Sequence, residues 1–360
     1  MNLRDLNRAT LARQLLLERA PLPPLAAVER LVAMQAQVAR PPFIGLWTRV
    51  KGFQREQLCE LLRTKRVVRA TSLRGTLHLM AAADYLALRP ALQPMLTYSM
   101  QALLKERAAN LDLAKLAAHA ATLLPATFDQ LRPLLAKKFT KHDERALGYA
   151  VRVQLPLVQV PTDADRWAFP SSAQFAAADA WLGRKFPATA TATPHELVRR
   201  YLAAFGPATI KDAQVWSGMR DLKPVFESLR EQLITFRDDH KRELFDLPDA
   251  PRPSADAPAP VRFLPDFDNL VLGHDDRRRI VADDHRKQIV TKNLLVKATF
   301  LVDGFVAGTW MIERKKSAAT LTLSPFTPLK KPARAALSEE GDALLRFVEP
   351  DATAFSVAVK

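Results

Sequence analysis

The chain has 360 residues, 48% of them hydrophobic and 25% charged, and Lys and Arg outnumber Asp and Glu 53 to 38 for a formal net charge of +15. That length exceeds what one compact core usually organises, so two or more units are expected, and the balance excludes wholesale disorder. The charge favours a polyanionic partner, of which nucleic acid is the commonest soluble kind.

The first 81 residues are read as helices followed by a hairpin. RATLARQLLLERA (8–20), LAAVERLVAMQAQ (25–37) and REQLCELLRTK (55–65) are predicted helices. VVRATSLRGTLHLM (67–80) reads as two strands around a Leu-Arg-Gly turn. A helical connector is expected over 82–121. The theme then repeats over 122–190, with helices at TFDQLRPLLAKKF and ERALGYAVRVQ and a polar-tipped hairpin at LPLVQVPTDADRWAFP (155–170).

The third copy, 191–250, is the clearest. Thr193 or Pro194 opens HELVRRYLAAF, Gly206-Pro207 stops it, Thr209 caps IKDAQVWS, Gly218 breaks it, and DLKPVFESLREQ gives a third helix. LITFRDDHKRELFDL is then strand, polar turn, strand, which is the element order of a winged helix-turn-helix. The Pro/Ala-rich PDAPRPSADAPAP (248–260) marks a boundary. Residues 261–360 are strand-rich, with Asp303-Gly304 a hairpin turn, an amphipathic helix at KPARAALSEEGDALLRFV and a final strand at TAFSVAV. The expected fold class is α+β: three tandem winged helix-turn-helix units, then a small β-barrel or curled sheet closed by that helix.

A single cysteine, Cys59, excludes an intramolecular disulfide and a Cys-based zinc or iron–sulfur site. With 11 glycines and neither GxGxxG nor a Walker-type loop, nucleotide-cofactor folds are not expected. His274-Asp275-Asp276 with Asp283-Asp284-His285 is the nearest thing to a metal cluster, and is read as a loop and strand edge. The start lacks an apolar h-region and no run is long enough to span a bilayer, so a cytoplasmic, nucleoid-associated protein without membrane contact is expected.

Gln35 and Gln37 stand in an otherwise apolar run. Two residues apart on a regular helix they diverge by about 200°, so they cannot both face one site. Either the helix ends between them, since Arg40 precedes Pro41 and should be extended, or only one is functional. Satisfying buried backbone groups at a helix end is the competing role. In the first hairpin Arg69, Thr71, Arg74 and His78 are candidate DNA contacts, with Arg74 at the turn reaching phosphate or a groove. His78 is read as facing either the core or DNA. Arg40, Lys137, Lys138, Lys141, Arg277, Arg278 and Arg279 are further candidates, with a solvated surface as the alternative for the lysines and the Arg run. Asp266 and Asp268 in PDFDN invite an acid–base reading, but such a motif is more often an Asx turn entering a strand.

With MQAQ (34–37) before a Pro-rich turn and Trp47, with VVRATSLRGTLHLM, and with FLPDFDNLVLGHDDRRRIV (263–281), the sequence resembles the AlkZ/YcaQ-type bacterial DNA glycosylases of the winged-helix superfamily. The resemblance covers essentially the whole chain. Members carry Gln-x-Gln or Gln-x-Asp at this motif, and Gln35-Ala36-Gln37 places the chain with the Gln-x-Gln branch. It implies a monofunctional glycosylase that excises N7-alkylated guanines and unhooks interstrand crosslinks, with Gln35 and Gln37 positioning the water. It further implies a monomer acting on double-stranded DNA that contains alkylated bases, without cofactor or metal. A non-enzymatic winged-helix DNA-binding protein or transcription regulator is the alternative, and a metal-dependent enzyme built on HDDRRRIVADDH the third.

Overall fold

The structure is a computed structural model and describes residues 1–185, 192–291 and 295–360. The expected unit boundary at 190/191 and the first residues of the strand-rich stretch from Asn293 lie outside the described residues.

The N-terminal helix Leu3–Arg13 starts on a capping box between Asn2 and Asp5 and stops at Gln14, short of the expected residue 20. The next helix, Pro24–Leu31, also stops early, because Val32 takes a left-handed φ of 67°. The chain then becomes the short strand β1 (Met34–Gln35), so both glutamines lie beyond the helix. A helix Pro41–Trp47 follows, and Arg40 before it is helical (φ −64°, ψ −43°) rather than extended. Its carbonyl accepts from the amides of Phe43 (3.1 Å) and Ile44, which offsets the crowding against Pro41.

Helix Arg55–Arg63 leads into β2 (Val67–Thr71) and β3 (Leu77–Ala81), the hairpin read from the sequence. After the helices Ala82–Leu104, Leu113–Ala121, Phe128–Lys138 and Glu144–Gln154 come β4 (Leu157–Gln159) and β5 (Phe175–Ala177). The return strand of this second hairpin is 175–177, not within 165–170, and residues 160–174 form a loop between. The two hairpins are fused into one antiparallel sheet of order β1-β3-β2-β4-β5, joined where Ala70 pairs with Val158. Its largest core gathers Val68, Leu92, Leu147, Tyr201, Trp216 and Phe226, in a cluster that runs from Val32 to Phe245.

The helices Pro194–Phe205, Ile210–Ser217 and Lys223–Ser228 precede the two-stranded sheet of β6 (Ile234–Arg237) and β7 (Glu243–Asp246). Thr193 and Thr209 cap the first two through their side chains, and Gly218 ends the second in a left-handed conformation. The segment 248–260 is not a free linker. Arg4 Nε donates to the Ala255 carbonyl at 2.9 Å, Arg8 Nε to Ala257 at 2.7 Å and Arg13 Nε to Pro251 at 3.3 Å.

Beyond it lie β8 (Arg262–Leu264), β9 (Thr299–Val302), β10 (Phe305–Lys315), β11 (Ala318–Pro325), the helix Lys331–Val348 and β12 (Ala354–Val359). They form an open sheet of order β12-β11-β10-β9-β8 with β12 parallel to β11, not a closed barrel. Both faces have partners: Leu337, Leu344 and Ile44 pack with Trp310 and Leu321, while Leu11 and Leu16 pack with Leu301 and Val306. With both faces covered, apolar burial gives no reason for the edges to meet.

Asp303 and Gly304 have φ of 49° and 82° at the β9–β10 turn, as an Asp-Gly hairpin requires. A Cβ on Gly304 would lie 2.5 Å from Asn7 Oδ1 and 2.6 Å from Leu11 Cδ1. Gly304→Ala is therefore expected to destabilise the protein by about 1–3 kcal/mol in denaturant melts, from strain plus displacement of the N-terminal helix. An unchanged midpoint would contradict that packing. Among the described residues no helix is long and apolar enough to cross a membrane.

Candidate active site

The three motifs behind the resemblance meet around one half-buried arginine. Arg74 occupies the turn Leu73–Gly75 with a left-handed φ of 55°. That conformation turns its side chain inward, where its guanidinium donates to Gln35 Oε1 at 2.8 Å, Asn269 Oδ1 at 3.1 Å and the Trp216 carbonyl. It is not an exposed hairpin tip. No ion pair neutralises it among the described residues, so its charge is balanced by dipoles alone, and burial with Arg277 nearby lowers its pKa to about 10.

His78 is also enclosed. Its Nδ1 lies 3.1 Å from the Thr76 carbonyl and its Nε2 3.3 Å from the Arg74 guanidinium. Nδ1 is thus assigned as the donor and Nε2 as the acceptor, the neutral tautomer. Burial and the Arg74 charge push its pKa down to about 3. Of its two expected environments, His78 has the core one. Asn269, from the PDFDN stretch, donates its Nδ2 to the Ala33 carbonyl at 2.8 Å and so ties the C-terminal segment to the start of β1.

Gln35 is only 8% exposed and pairs with His78 across β1–β3. Gln37 is exposed and lies beyond the end of β1. Its Oε1 accepts from the Leu77 amide at 2.9 Å, while Ala36 donates to the Leu77 carbonyl at 2.7 Å, so the Gln37 amide extends the strand pairing by one step. Arg69 clamps the motif from below, Nε to the Ala36 carbonyl at 2.8 Å and Nη2 to the Gln37 carbonyl at 3.2 Å. Each glutamine therefore has a fixed oxygen. Neither Nε2 has a partner among the described residues, which leaves donors as well as the oxygens' second lone pairs for a ligand.

The two amides line different spaces. Gln35 lines a recess of about 20 Å³ together with Arg49, Asp266, Asp268 and Asn269. That is close to the volume one water molecule occupies. Gln37 lines an open cleft of about 550 Å³, walled by Phe128, Trp167, Phe169 and Phe175 and carrying Arg69 and Arg152.

Asp268 is not half of an acid–base pair. It holds a buried two-point ion pair with Arg49 at 2.8 and 2.9 Å, and its Oδ1 accepts from the Leu270 amide at 2.9 Å, the Asx turn. Asp266 is less engaged, accepting from the Ala298 amide at 3.2 Å and lying 3.9 Å from Arg40. Arg40 itself lines the cleft.

The remaining candidates divide by exposure. Lys137, Lys138 and Lys141 lie exposed at and just past the end of helix Phe128–Lys138. Thr71 is buried and accepts from Arg152 Nε at 3.2 Å. Arg279 is buried, donates to the Pro207 carbonyl at 2.7 Å and cannot reach a phosphate in this conformation. Arg278 pairs with Asp276 at 2.6 Å, whereas the Nε of Arg277 is buried without a partner among the described residues. Asp276 also takes Arg242, and His274 Nε2 lies 2.9 Å from the Phe205 carbonyl. Among the described residues no three His, Cys, Asp or Glu side chains are arranged to hold a metal.

Asn269, Arg49 and Arg152 were not singled out in the sequence. Asn269 lies in the quoted PDFDN motif and could have been; Arg49 and Arg152 carry no local signal.

An α+β frame that joins its N- and C-terminal thirds around a Gln-x-Gln motif defines the class. A family model described as DNA glycosylase AlkZ-like matches residues 28–347, and the chain belongs to this family of DNA glycosylases. It is 27% identical over 329 residues to an interstrand DNA cross-link repair glycosylase of Streptomyces sahachiroi, covering 83% of this chain and 84% of that protein. The structure is similar to that of Streptomyces sahachiroi DNA glycosylase AlkZ, with a TM-score of 0.78, 21% identity and full coverage of both chains.

Proposed function

We propose that the protein hydrolyses the N-glycosidic bond of cationic N7-alkylated purines in duplex DNA, N7-alkylguanine above all, and unhooks interstrand crosslinks by the same reaction. It acts as a monomer and leaves an abasic site. Alkylation at N7 gives the base a positive charge, so it departs without being protonated first. What the enzyme supplies is a water placed against C1′ of an oxocarbenium-like sugar.

The observation that carries this reading is the pair of oriented amides at adjoining spaces, one water-sized and one large and aromatic. Gln35, held by Arg74, offers its second lone pair to the water. Asp266 lines the same recess and can accept from it too. Gln37, whose Oε1 also keeps a lone pair, holds the same water from the other side and offers its Nε2 to a sugar or phosphate oxygen. The aromatic walls of the cleft accommodate bulk attached to the base, and the relative named for crosslink repair supports that range.

The division 1–81, 122–190 and 191–250 is taken as three winged-helix units. The third is assigned chiefly to scaffolding, because its helix Ile210–Ser217 gives the Trp216 carbonyl to Arg74.

Incubation with N7-methylguanine duplex should release the free base and leave alkali-labile sites at the same rate with and without EDTA. No release from several N7-alkyl adducts, crosslinks included, refutes the proposal. Loss of activity in EDTA alone returns the metal-dependent alternative.

A further inference from the structure

The floor of the cleft beside Gln37 carries two guanidinium groups with no carboxylate partner among the described residues. Arg69 is 5% exposed and spends Nε and Nη2 on the Ala36 and Gln37 carbonyls, which leaves its Nη1 without a hydrogen-bond partner among the described residues. Arg152 reaches the same cleft from helix Glu144–Gln154. It gives Nε to Thr71 Oγ1 at 3.2 Å, and neither of its terminal nitrogens has a partner among the described residues. The acids lining the cleft have partners other than Arg69 and Arg152. Asp129 accepts from Arg132 at 3.3 Å and from Ser172 Oγ at 3.1 Å, and Asp165 accepts from the Trp167 amide at 2.8 Å.

Cations removed from water are normally paired, since desolvation without a counter-charge is costly. Here two of them share one wall. Burial lowers the pKa of Arg69 to about 10, with the Arg152 charge adding to the effect. Both stay protonated at neutral pH, so the wall holds two positive charges that an anion would neutralise together. An arginine fork suits phosphate oxygens in particular.

We infer that Arg69 and Arg152 jointly bind one phosphodiester of the lesion-bearing strand, beside Gln37. This rests on the glycosylase reading, and it adds a coupling. Arg69 also holds the Ala36 and Gln37 carbonyls, so the residue that grips the strand fixes the backbone of the catalytic motif. Strand placement and water placement are then set by one side chain.

The test is a binding cycle on the full chain. Duplexes carrying a tetrahydrofuran abasic analogue are made with a single neutral methylphosphonate at each linkage around it in turn, and Kd is read by fluorescence anisotropy. For the unmodified protein one linkage should weaken binding about tenfold, the loss of one charge-assisted contact. Arg152→Gln should lose a similar factor on the all-phosphate duplex, lose little more on that methylphosphonate, and show a salt slope shallower by about one unit. Arg152→Lys should fall between. Should Arg152→Gln melt below the assay temperature, Arg152→Lys carries the same cycle, because it keeps the charge but not the fork.

Indifference of the unmodified protein to every methylphosphonate overturns the inference. So does full additivity of variant and methylphosphonate. Both readouts are binding, so failure to release base with this pattern intact counts against the glycosylase reading alone. Base release with no coupled linkage counts against the phosphate site alone.

Discussion

Gln35→Ala slows excision of N7-methylguanine by about tenfold to several hundredfold, and Gln37→Ala does the same, with DNA affinity and melting temperature nearly unchanged. The size follows from what is lost, which is orientation of a water against an electrophile that needs no strong base. Gln35 has one lone pair taken by Arg74 at 2.8 Å, so its truncation removes the acceptor while Arg74 keeps Asn269, His78 and the Trp216 carbonyl. Gln37→Ala also releases the Leu77 amide, which water in the open cleft can satisfy. The losses should be non-additive, since a water held by one amide is already misplaced. Gln37→Asp keeps an acceptor for Leu77 on a shorter side chain and loses the Nε2 donor. It should retain part of the rate and alter which lesions are accepted. Single-turnover kinetics separate these outcomes from a structural role, which would lower melting temperature and binding together.

The largest effect on stability is expected from Arg49→Met. Arg49 and Asp268 are both buried, and the guanidinium also donates to the carbonyls of Gln14 at 3.0 Å and Gly45 at 3.1 Å. Removing it strands a carboxylate and two carbonyls away from water. Breaking such a pair costs about 3–5 kcal/mol. Adding Asp268→Leu should recover part of this by removing the stranded charge, but not all, because the Leu270 amide then loses its acceptor. Urea midpoints of the two single variants and the double variant give the cycle. If Arg49→Met proves nearly neutral, the ion pair does not tie the end of helix Pro41–Trp47 to the C-terminal segment.

Local signals were legible where the physics is local. Thr193, Pro194, Thr209 and Gly218 bound their helices because capping and left-handed termination depend on neighbours in sequence. Asp303-Gly304 set a hairpin for the same reason. The Asx turn at Asp268 was one of two readings of its motif. The motif's own conformation was not legible, because MQAQ continues the apolar periodicity of helix Pro24–Leu31. Pairing of Met34 with Leu79 and Gln35 with His78 overrides it from some forty residues away. Arg74 looked like a hairpin tip for a similar reason: its partners Trp216 and Asn269 lie 142 and 195 residues further on. The predicted barrel is an open sheet because Leu11, Leu16 and Ile44, distant in sequence, cover its faces. Nearness of Gln35 and Gln37 to one reaction centre was expected from the family resemblance. The extended chain after Val32 supplies the backbone that a regular helix could not.

Two neutral amides, rather than a carboxylate pair or a metal, are proposed to place the water that releases the base. The most direct test is single-turnover excision of N7-methylguanine by Gln35→Ala/Gln37→Ala at saturating enzyme, with melting curves and binding isotherms on the same preparations. Base release is expected at about the rate of the slower single variant, about tenfold to several hundredfold below that of the unmodified protein, from a protein that melts and binds as the unmodified chain does. Full excision by the double variant would contradict it.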